Sequence, residues 1–201
     1  MSGELNVSRE TSDRLKAYFA LLAKWNPKIN LVSPATVGGA WTRHIVDSAQ
    51  VFELAEIRQG LWLDMGSGGG FPGMVCAIIA AEKSPDLRFQ LVDSDQRKCA
   101  FLKTVIREVG VSAAVTSERL EIMQPAEADI ISARALAPLR NLLFYMHRHS
   151  KPGGIGLFQK GRNWKAEIQE AMVEWRFHHK AMTSTTDPEA AILRISEQQN
   201  V

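Results

Sequence analysis

Apolar residues recur at helical spacing from Leu15 through Tyr18, Phe19 and Leu22 to Trp25, which predicts an amphipathic helix near the start of the chain. Ser8 or Thr11 stands where a cap belongs. Asn26-Pro27 is expected to end this helix, because proline disfavours a helical conformation in the residue before it. The run Asn30-Leu31-Val32-Ser33-Pro34 reads as loop, and Trp41, Ile45, Ala49 and Phe52 mark a second helix. From Leu61 the pattern changes to short apolar runs alternating with helices. Leu61–Met65, Arg88–Val92, Ala113–Thr116, Asp129–Ser132 and Ile155–Gln159 read as strands. Between and after them, Pro72–Glu82, Asp95–Val109 (with Gly110 as C-cap), Pro138–Arg148 and Asn163–Val173 read as helices. Lys151-Pro152-Gly153-Gly154 reads as a turn. Trp175–Met182 and Ala191–Ile195 are expected to pair as an antiparallel hairpin around Asp187-Pro188. This α/β alternation predicts a mostly parallel sheet of about seven strands with helices on both faces. The expected organisation is a helical extension over residues 1–58 and one compact core over 59–201.

Composition narrows the class. A chain of 201 residues fits one medium domain able to bury a core without staples. No apolar run approaches the roughly 20 residues of a membrane helix. The polar stretch Met1–Glu10 lacks the apolar segment of a secretory signal, so a cytoplasmic protein is expected. Cys76 and Cys99 both fall in predicted helices and are expected to be packed, reduced thiols. A net charge of +2 does not by itself predict nucleic-acid binding. Two basic sets are more suggestive. One runs through Arg140, Arg148, Lys151, Lys160, Arg162, Lys165, Arg176 and Lys180, interleaved with His147, His149, His178 and His179. The other holds Arg9, Arg14, Lys16, Lys24, Lys28 and Arg43. On one shared face they would form a phosphate-binding surface; otherwise they are scattered solvated charge.

The most informative stretch is Asp64-Met65-Gly66-Ser67-Gly68-Gly69-Gly70-Phe71-Pro72-Gly73, which follows a strand and opens a helix. Gly66, Gly68 and Gly70 allow positive φ and close approach of a ligand to the backbone, and Ser67 is a turn residue without nucleophile partners. Asp93 ends the next strand, where an acid can accept hydrogen bonds from both ribose hydroxyls of an adenosyl ligand. A turn whose glycines serve only packing is the bland alternative. No Gly-Lys-Ser/Thr follows, so a P-loop is excluded. A dinucleotide pyrophosphate would want free N–H groups at the helix start, and Pro72 removes one. A ligand without phosphate, such as S-adenosylmethionine, tolerates that loss. A nicotinamide-dependent oxidoreductase stays open as an alternative, as does a binding module that senses the cofactor or simply binds RNA.

The same residues resemble the RsmG (GidB) family, which methylates N7 of a guanine in bacterial 16S ribosomal RNA. Beyond Asp64 to Gly73, the resemblance is carried by Trp25-Asn26 through Asn30-Leu31, Arg43-His44-Ile45-Val46-Asp47-Ser48, Leu91-Val92-Asp93-Ser94 with Arg97-Lys98 and Phe101-Leu102, Arg119-Leu120-Glu121, Ser132-Ala133-Arg134-Ala135, and Lys160-Gly161. It spans about Leu22 to Gly161. Residues 165–201 show no motif of the family, and the glycine triplet at 68–70 is richer than its commoner Gly-Ala-Gly or Gly-Pro-Gly. The resemblance implies a Rossmann-like class I S-adenosylmethionine-dependent methyltransferase, needing no metal and acting on 16S RNA or the small ribosomal subunit. It implies that Gly66 and Phe71 line the cofactor pocket, with Ser67 and Gly68 of the same loop, that Leu120 and Glu121 lie beside the adenine, and that Arg134 sits at the rim. Asp93 on the ribose agrees with the reading from the residues themselves. A monomer is the default expectation. A class I methyltransferase with a small-molecule or protein acceptor is the nearest alternative.

Guanine N7 carries an in-plane lone pair and no proton, so no catalytic base is expected, and Arg134 is the candidate positioning residue. A cation pressed against N7 would block that lone pair, which assigns Arg134, Arg43 and Lys160 to phosphates or to O6 alone. Arg43, His44, Lys160 and Arg162 are the expected RNA contacts. Phe71 and Trp41 are candidates for a stacking platform, with a core role for Trp41 as the alternative. His44 is placed to pair with Asp47 within one helical turn, and a capping or packing role is the alternative to RNA contact.

Overall fold

In the computed structural model, residues 5–33 and 39–201 are described; Pro34 of the expected loop and the first four residues of the polar N-terminus lie outside them. Ser8 does cap the first helix, α1 (Arg9–Ile29), its Oγ accepting from Thr11 N at 3.1 Å. Ser8 N and Thr11 Oγ1 both donate to Glu82, which ties the cap to a later helix. Pro27 does not stop α1. The helix runs one more turn and closes at Asn30, whose φ is 51° and whose N–H bonds Asn26 O. That turn is held from outside: Trp25 packs on Phe101 at 5.6 Å, and the Asn26 side chain accepts from Val32 N at 2.9 Å. Tertiary contact thus overrides the local proline preference.

The second helix forms as expected, but its first part, Trp41–Val46, is a wide π-type turn that passes into α2 (Asp47–Leu54). Then come β1 (Gly60–Met65), α3 (Gly73–Lys83), β2 (Leu87–Asp93), α4 (Gln96–Val109), β3 (Ala113–Ser117), β4 (Ala128–Arg134), α5 (Leu139–His149), β5 (Ser150–Lys160), α6 (Trp164–Ala171), β6 (Trp175–Thr183) and β7 (Ala191–Asn200). Asp95 caps α4 and Gly110, at φ 65°, closes it.

One seven-stranded sheet runs in the order β3-β2-β1-β4-β5-β7-β6. The first five strands are parallel, and β7 inserts antiparallel between β5 and β6, so the expected hairpin is present. The segment read as a turn at 151–154 is instead a bulge within β5. Ala128 faces Ser150 while Ile130 faces Ile155, and the extra residues loop out through Gly153 at φ 79°. Alternation along the strands divides the core. Trp62, Phe89 and Ile130 pack under α1 to α4, whereas Leu63, Ile131 and Phe158 pack against α5 and α6. Cys76 and Cys99 are buried and unbridged, as expected. No helix among the described residues is long and apolar enough to cross a membrane. Chain order reverses between β1 and β4, and the C-terminal ends of strands at such a switch point are where α/β sheets open a ligand crevice.

Candidate active site

At that crevice the glycine loop leaves β1 and folds tightly back. Ser67 N bonds Val92 O at 2.9 Å, Gly70 N bonds Ser67 O at 2.7 Å, and Ser67 Oγ donates to Asp64 O at 3.0 Å; Ser67 is a buried turn residue, as read. Gly68 has φ 54°, and a Cβ there would meet nothing nearer than Gly66 O at 3.8 Å, so bare backbone faces open space. Asp93, at the end of β2, accepts from Gly68 N through Oδ2 and from Asp95 N through Oδ1, both at 2.8 Å. These bonds fix the carboxylate and leave each oxygen a further lone pair. A cleft of about 420 Å³ lies here, and Gly66, Ser67, Gly68, Phe71, Asp93, Leu120, Glu121 and Arg134 all line it. Tyr145, which sequence reasoning left as an ordinary helix residue, lines it too and donates to Glu121 Oε1 at 2.6 Å.

This lining suits an adenosyl group: a fixed double acceptor for a diol, an uncovered glycine backbone, and the apolar Leu120 and Val92 beside Tyr145. It suits a pyrophosphate less. Asp64 is fully buried beneath the loop and bonds the backbone at Gly73, the first residue of α3. A carboxyl there already occupies the anion-attracting end of the helix.

Burial pushes the Asp64 carboxyl up to about 6, although hydrogen bonds from Ser132, Ser67 and Gly73 and the charge of Arg134 work against it. Trp62 Nε1 donates to Ser132 Oγ at 2.8 Å, which in turn donates to Asp64 Oδ1 at 2.5 Å. Burial likewise drives His44 down to about 4, helped by the charges of Arg134 and Arg43, so its imidazole is neutral at physiological pH. The Arg134 guanidinium lies 4.5 Å from the Phe71 ring centroid and donates to Arg43 O at 3.2 Å.

A second cleft, of about 780 Å³, adjoins the first and shares Leu31, Arg134 and Ala135 with it. Arg43 and His44 from the π-type turn, Lys160 from the end of β5, and Ser184, Thr186 and Asp187 from the hairpin loop line it. Arg134 therefore stands where the two clefts meet.

Several expected roles change. Lys160 lines the second cleft, but its side chain is only 9% exposed; its ammonium pairs with Glu167 at 2.6 Å and donates to Ala137 O at 2.9 Å. It holds the wall rather than offering a free charge. Arg162 is exposed, pairs with Glu189 at 3.6 Å and lies outside the lining. Phe71 is no open platform: it is 3% exposed, with His44 stacked on it at 5.0 Å and Arg134 over it. Trp41 packs edge-on against Phe19 at 5.6 Å, the core alternative. The Asp47 carboxylate turns to Gln159, Ser184 and Thr186 rather than to His44. The two basic sets do not gather on one face. Arg9, Arg14 and Lys16 pair with acids on α1 itself, and Lys151 pairs with Asp129 at the opposite end of β5 from Lys160.

The family described as rRNA small subunit methyltransferase G (GidB) matches residues 11–194. The ribosomal RNA small subunit methyltransferase G of Ruegeria pomeroyi is 54% identical over 192 residues, covering 96% of this chain and 94% of its own. That of Paracoccus denitrificans is 48% identical over 193 residues, covering 96% and 97%. Among solved structures, a SAM-dependent methyltransferase from Aquifex aeolicus aligns with TM-score 0.61 at 12% identity, covering 83% of this chain and 100% of that one. M. jannaschii TYW2, in complex with AdoMet, aligns with TM-score 0.54 at 10% identity, covering 77% and 76%. At such identities the solved structures bear on the fold alone, which is that of an α/β class I methyltransferase. The sequence matches go further, for they run almost end to end through both clefts: the chain belongs to the rRNA small subunit methyltransferase G (GidB) family.

Proposed function

We propose that this protein transfers a methyl group from S-adenosylmethionine to N7 of a guanine in 16S ribosomal RNA. The observation that carries the reading is the pair of clefts meeting at Arg134, one lined for an adenosyl group and one large enough for a base, in a chain of this family. The relatives are ribosomal RNA small subunit methyltransferases G, which supports the RNA substrate.

S-adenosylmethionine, when bound, supplies a methyl group already activated on a sulfonium. The protein's own task is then placement, an effect that reaches roughly 7–11 kcal/mol in well-oriented systems. Asp93 holds the ribose, Gly66 and Gly68 bring backbone close, and Leu120 and Glu121 flank the adenine. Arg134 is the positioning residue. Its bonds to Phe71 and to the Arg43 carbonyl hold the guanidinium to one side, where it meets O6 or a phosphate and leaves the N7 lone pair free. His44, neutral and stacked on Phe71, adds no second cation. No side chain is assigned as a base, since N7 has no proton to lose. Arg43 supplies the exposed positive charge toward the RNA backbone. The reading implies a cytoplasmic enzyme working as a monomer, in which the N-terminal extension contributes Thr42, Arg43, His44 and Asp47 to the wall of the acceptor cleft.

The test is transfer of tritiated methyl groups to unmethylated 16S RNA and to small subunits, followed by mapping of the modified nucleotide. Label on N7 of one guanine is expected; label elsewhere, or none on either substrate, overturns the reading. Titration calorimetry with S-adenosylmethionine against NADH separates it from the oxidoreductase.

A further inference from the structure

The second cleft ends on hydrogen-bond acceptors that the adenosyl site does not use. Gln159 is 8% exposed and pairs in register with Arg134 across β5 and β4. The two side chains therefore leave the same face of the sheet, one strand spacing (roughly 4.8 Å) apart. Gln159 Nε2 donates to Asp47 Oδ2 at 2.6 Å and to Asp47 O at 3.2 Å. With the amide so oriented, its Oε1 faces away from the carboxylate; that atom is buried and, among the described residues, accepts no hydrogen bond. Asp47 Oδ1 already accepts from Ser184 Oγ at 2.7 Å, Thr186 Oγ1 at 2.8 Å and Gln50 Nε2 at 3.1 Å. Among the described residues Oδ2 accepts from Gln159 alone. The wall thus holds two acceptor oxygens with capacity to spare, one of them buried without a donor. Such a group is costly to fold around and asks for a ligand that completes it.

We propose that Gln159 and Asp47 are specificity-determining residues that read the Watson–Crick edge of the acceptor guanine, their free acceptor positions taking its N1–H and N2–H groups. The inference rests on the guanine-methylation reading above. N7 lies on the side of the purine opposite the N1–N2 edge. A base with N7 turned toward the adenosyl cleft therefore shows that edge to the far wall, with Arg134 between. Guanine offers two donors there. Adenine offers a lone pair at N1, which would face an acceptor and be rejected. Ser184 and Thr186 hold Asp47 in place, which gives the loop between β6 and β7 a role in recognition.

The test replaces the target guanosine in 16S RNA by inosine, which keeps N1–H, O6 and N7 but lacks the N2 amino group. The unsubstituted protein is expected to methylate guanosine RNA with at least tenfold higher kcat/KM than inosine RNA. Gln159→Leu and Asp47→Asn are both expected to leave S-adenosylmethionine affinity unchanged, and the one of them that removes the N2–H acceptor is expected to bring that ratio toward one. A purely structural role would keep the ratio in both variants, and that result overturns the inference alone. Equal rates on guanosine and inosine RNA with the unsubstituted protein also overturn it, and this arm needs no variant to fold. Absence of transfer to guanosine RNA by the unsubstituted protein is the distinct failure of the methylation reading, and takes the inference with it.

Discussion

On the proposed reading Asp93 holds the ribose, and both its oxygens are already committed to backbone N–H groups that shape the loop. Asp93→Asn keeps the size but turns one acceptor into a donor. One backbone N–H then loses its partner, and one ribose hydroxyl meets an amide hydrogen. S-adenosylmethionine affinity is expected to fall by about 10- to 100-fold, or about 1.4–3 kcal/mol, in titration calorimetry, with an unchanged circular dichroism spectrum. An unaltered Kd would remove Asp93 from the ribose. Gly73 makes a different demand. A Cβ there would lie 2.5 Å from Asp64 Cβ and from Leu91 Cδ2, atoms fixed by the backbone and the core. Gly73→Ala is expected to destabilise the fold by about 1–3 kcal/mol, read as a lowered melting temperature; an unchanged melt would mean that α3 shifts freely on β1.

At the scale of elements, the start of α5 hangs on a partner far along the chain. Glu167 on α6 accepts from Leu139 N at 2.8 Å while pairing with the buried ammonium of Lys160. Glu167→Ala leaves that ammonium with a single carbonyl and the helix start without its cap. A loss of about 3 kcal/mol is expected in chemical denaturation, because breaking one side of a buried pair strands the other charge; a loss below about 1 kcal/mol would show that Lys160 escapes to solvent. The sequence signalled Lys160 and missed this partnership, since nothing in a run of Lys-Gly says that an acid seven residues on will cover it. The same limit explains the other departures. Strand and helix periods along Leu61–Ala171 were legible because each is a local pattern, and the loop with its acid was legible because a glycine run between strand and helix is local too. The extra turn of α1 depends on Phe101, and the bulge in β5 depends on register with β4. Asp47, Gln159, Ser184 and Thr186 come from a helix, a strand and a hairpin loop, and no spacing rule connects them.

For the whole molecule, two buried groups beside the clefts set opposing pH dependences. The Asp64 carboxyl, raised by burial from 3.8 to about 6, holds a proton in the folded chain that the unfolded chain has released. Its contribution to stability is full below about 3.8 and is lost as pH rises through 6. His44, lowered by burial from 6.5 to about 4, does the reverse: the unfolded chain takes up a proton that the folded chain refuses, so stability falls as pH drops from 6.5 toward 4. His149, also lowered by burial, acts in the same direction as His44. Between about pH 4 and 6 the carboxyl therefore offsets part of the histidine loss, and acid lability is muted in the native protein. Asp64→Asn replaces the carboxyl by a neutral group and removes that offset. Relative to the native protein, the variant is expected to fare better at about pH 7.5 than at about pH 5, by about 1 kcal/mol in paired denaturant titrations. A stability difference between the two proteins that stays constant across this range would mean that Asp64 is ionised throughout and that the Trp62–Ser132 relay, with Arg134, solvates the charge fully.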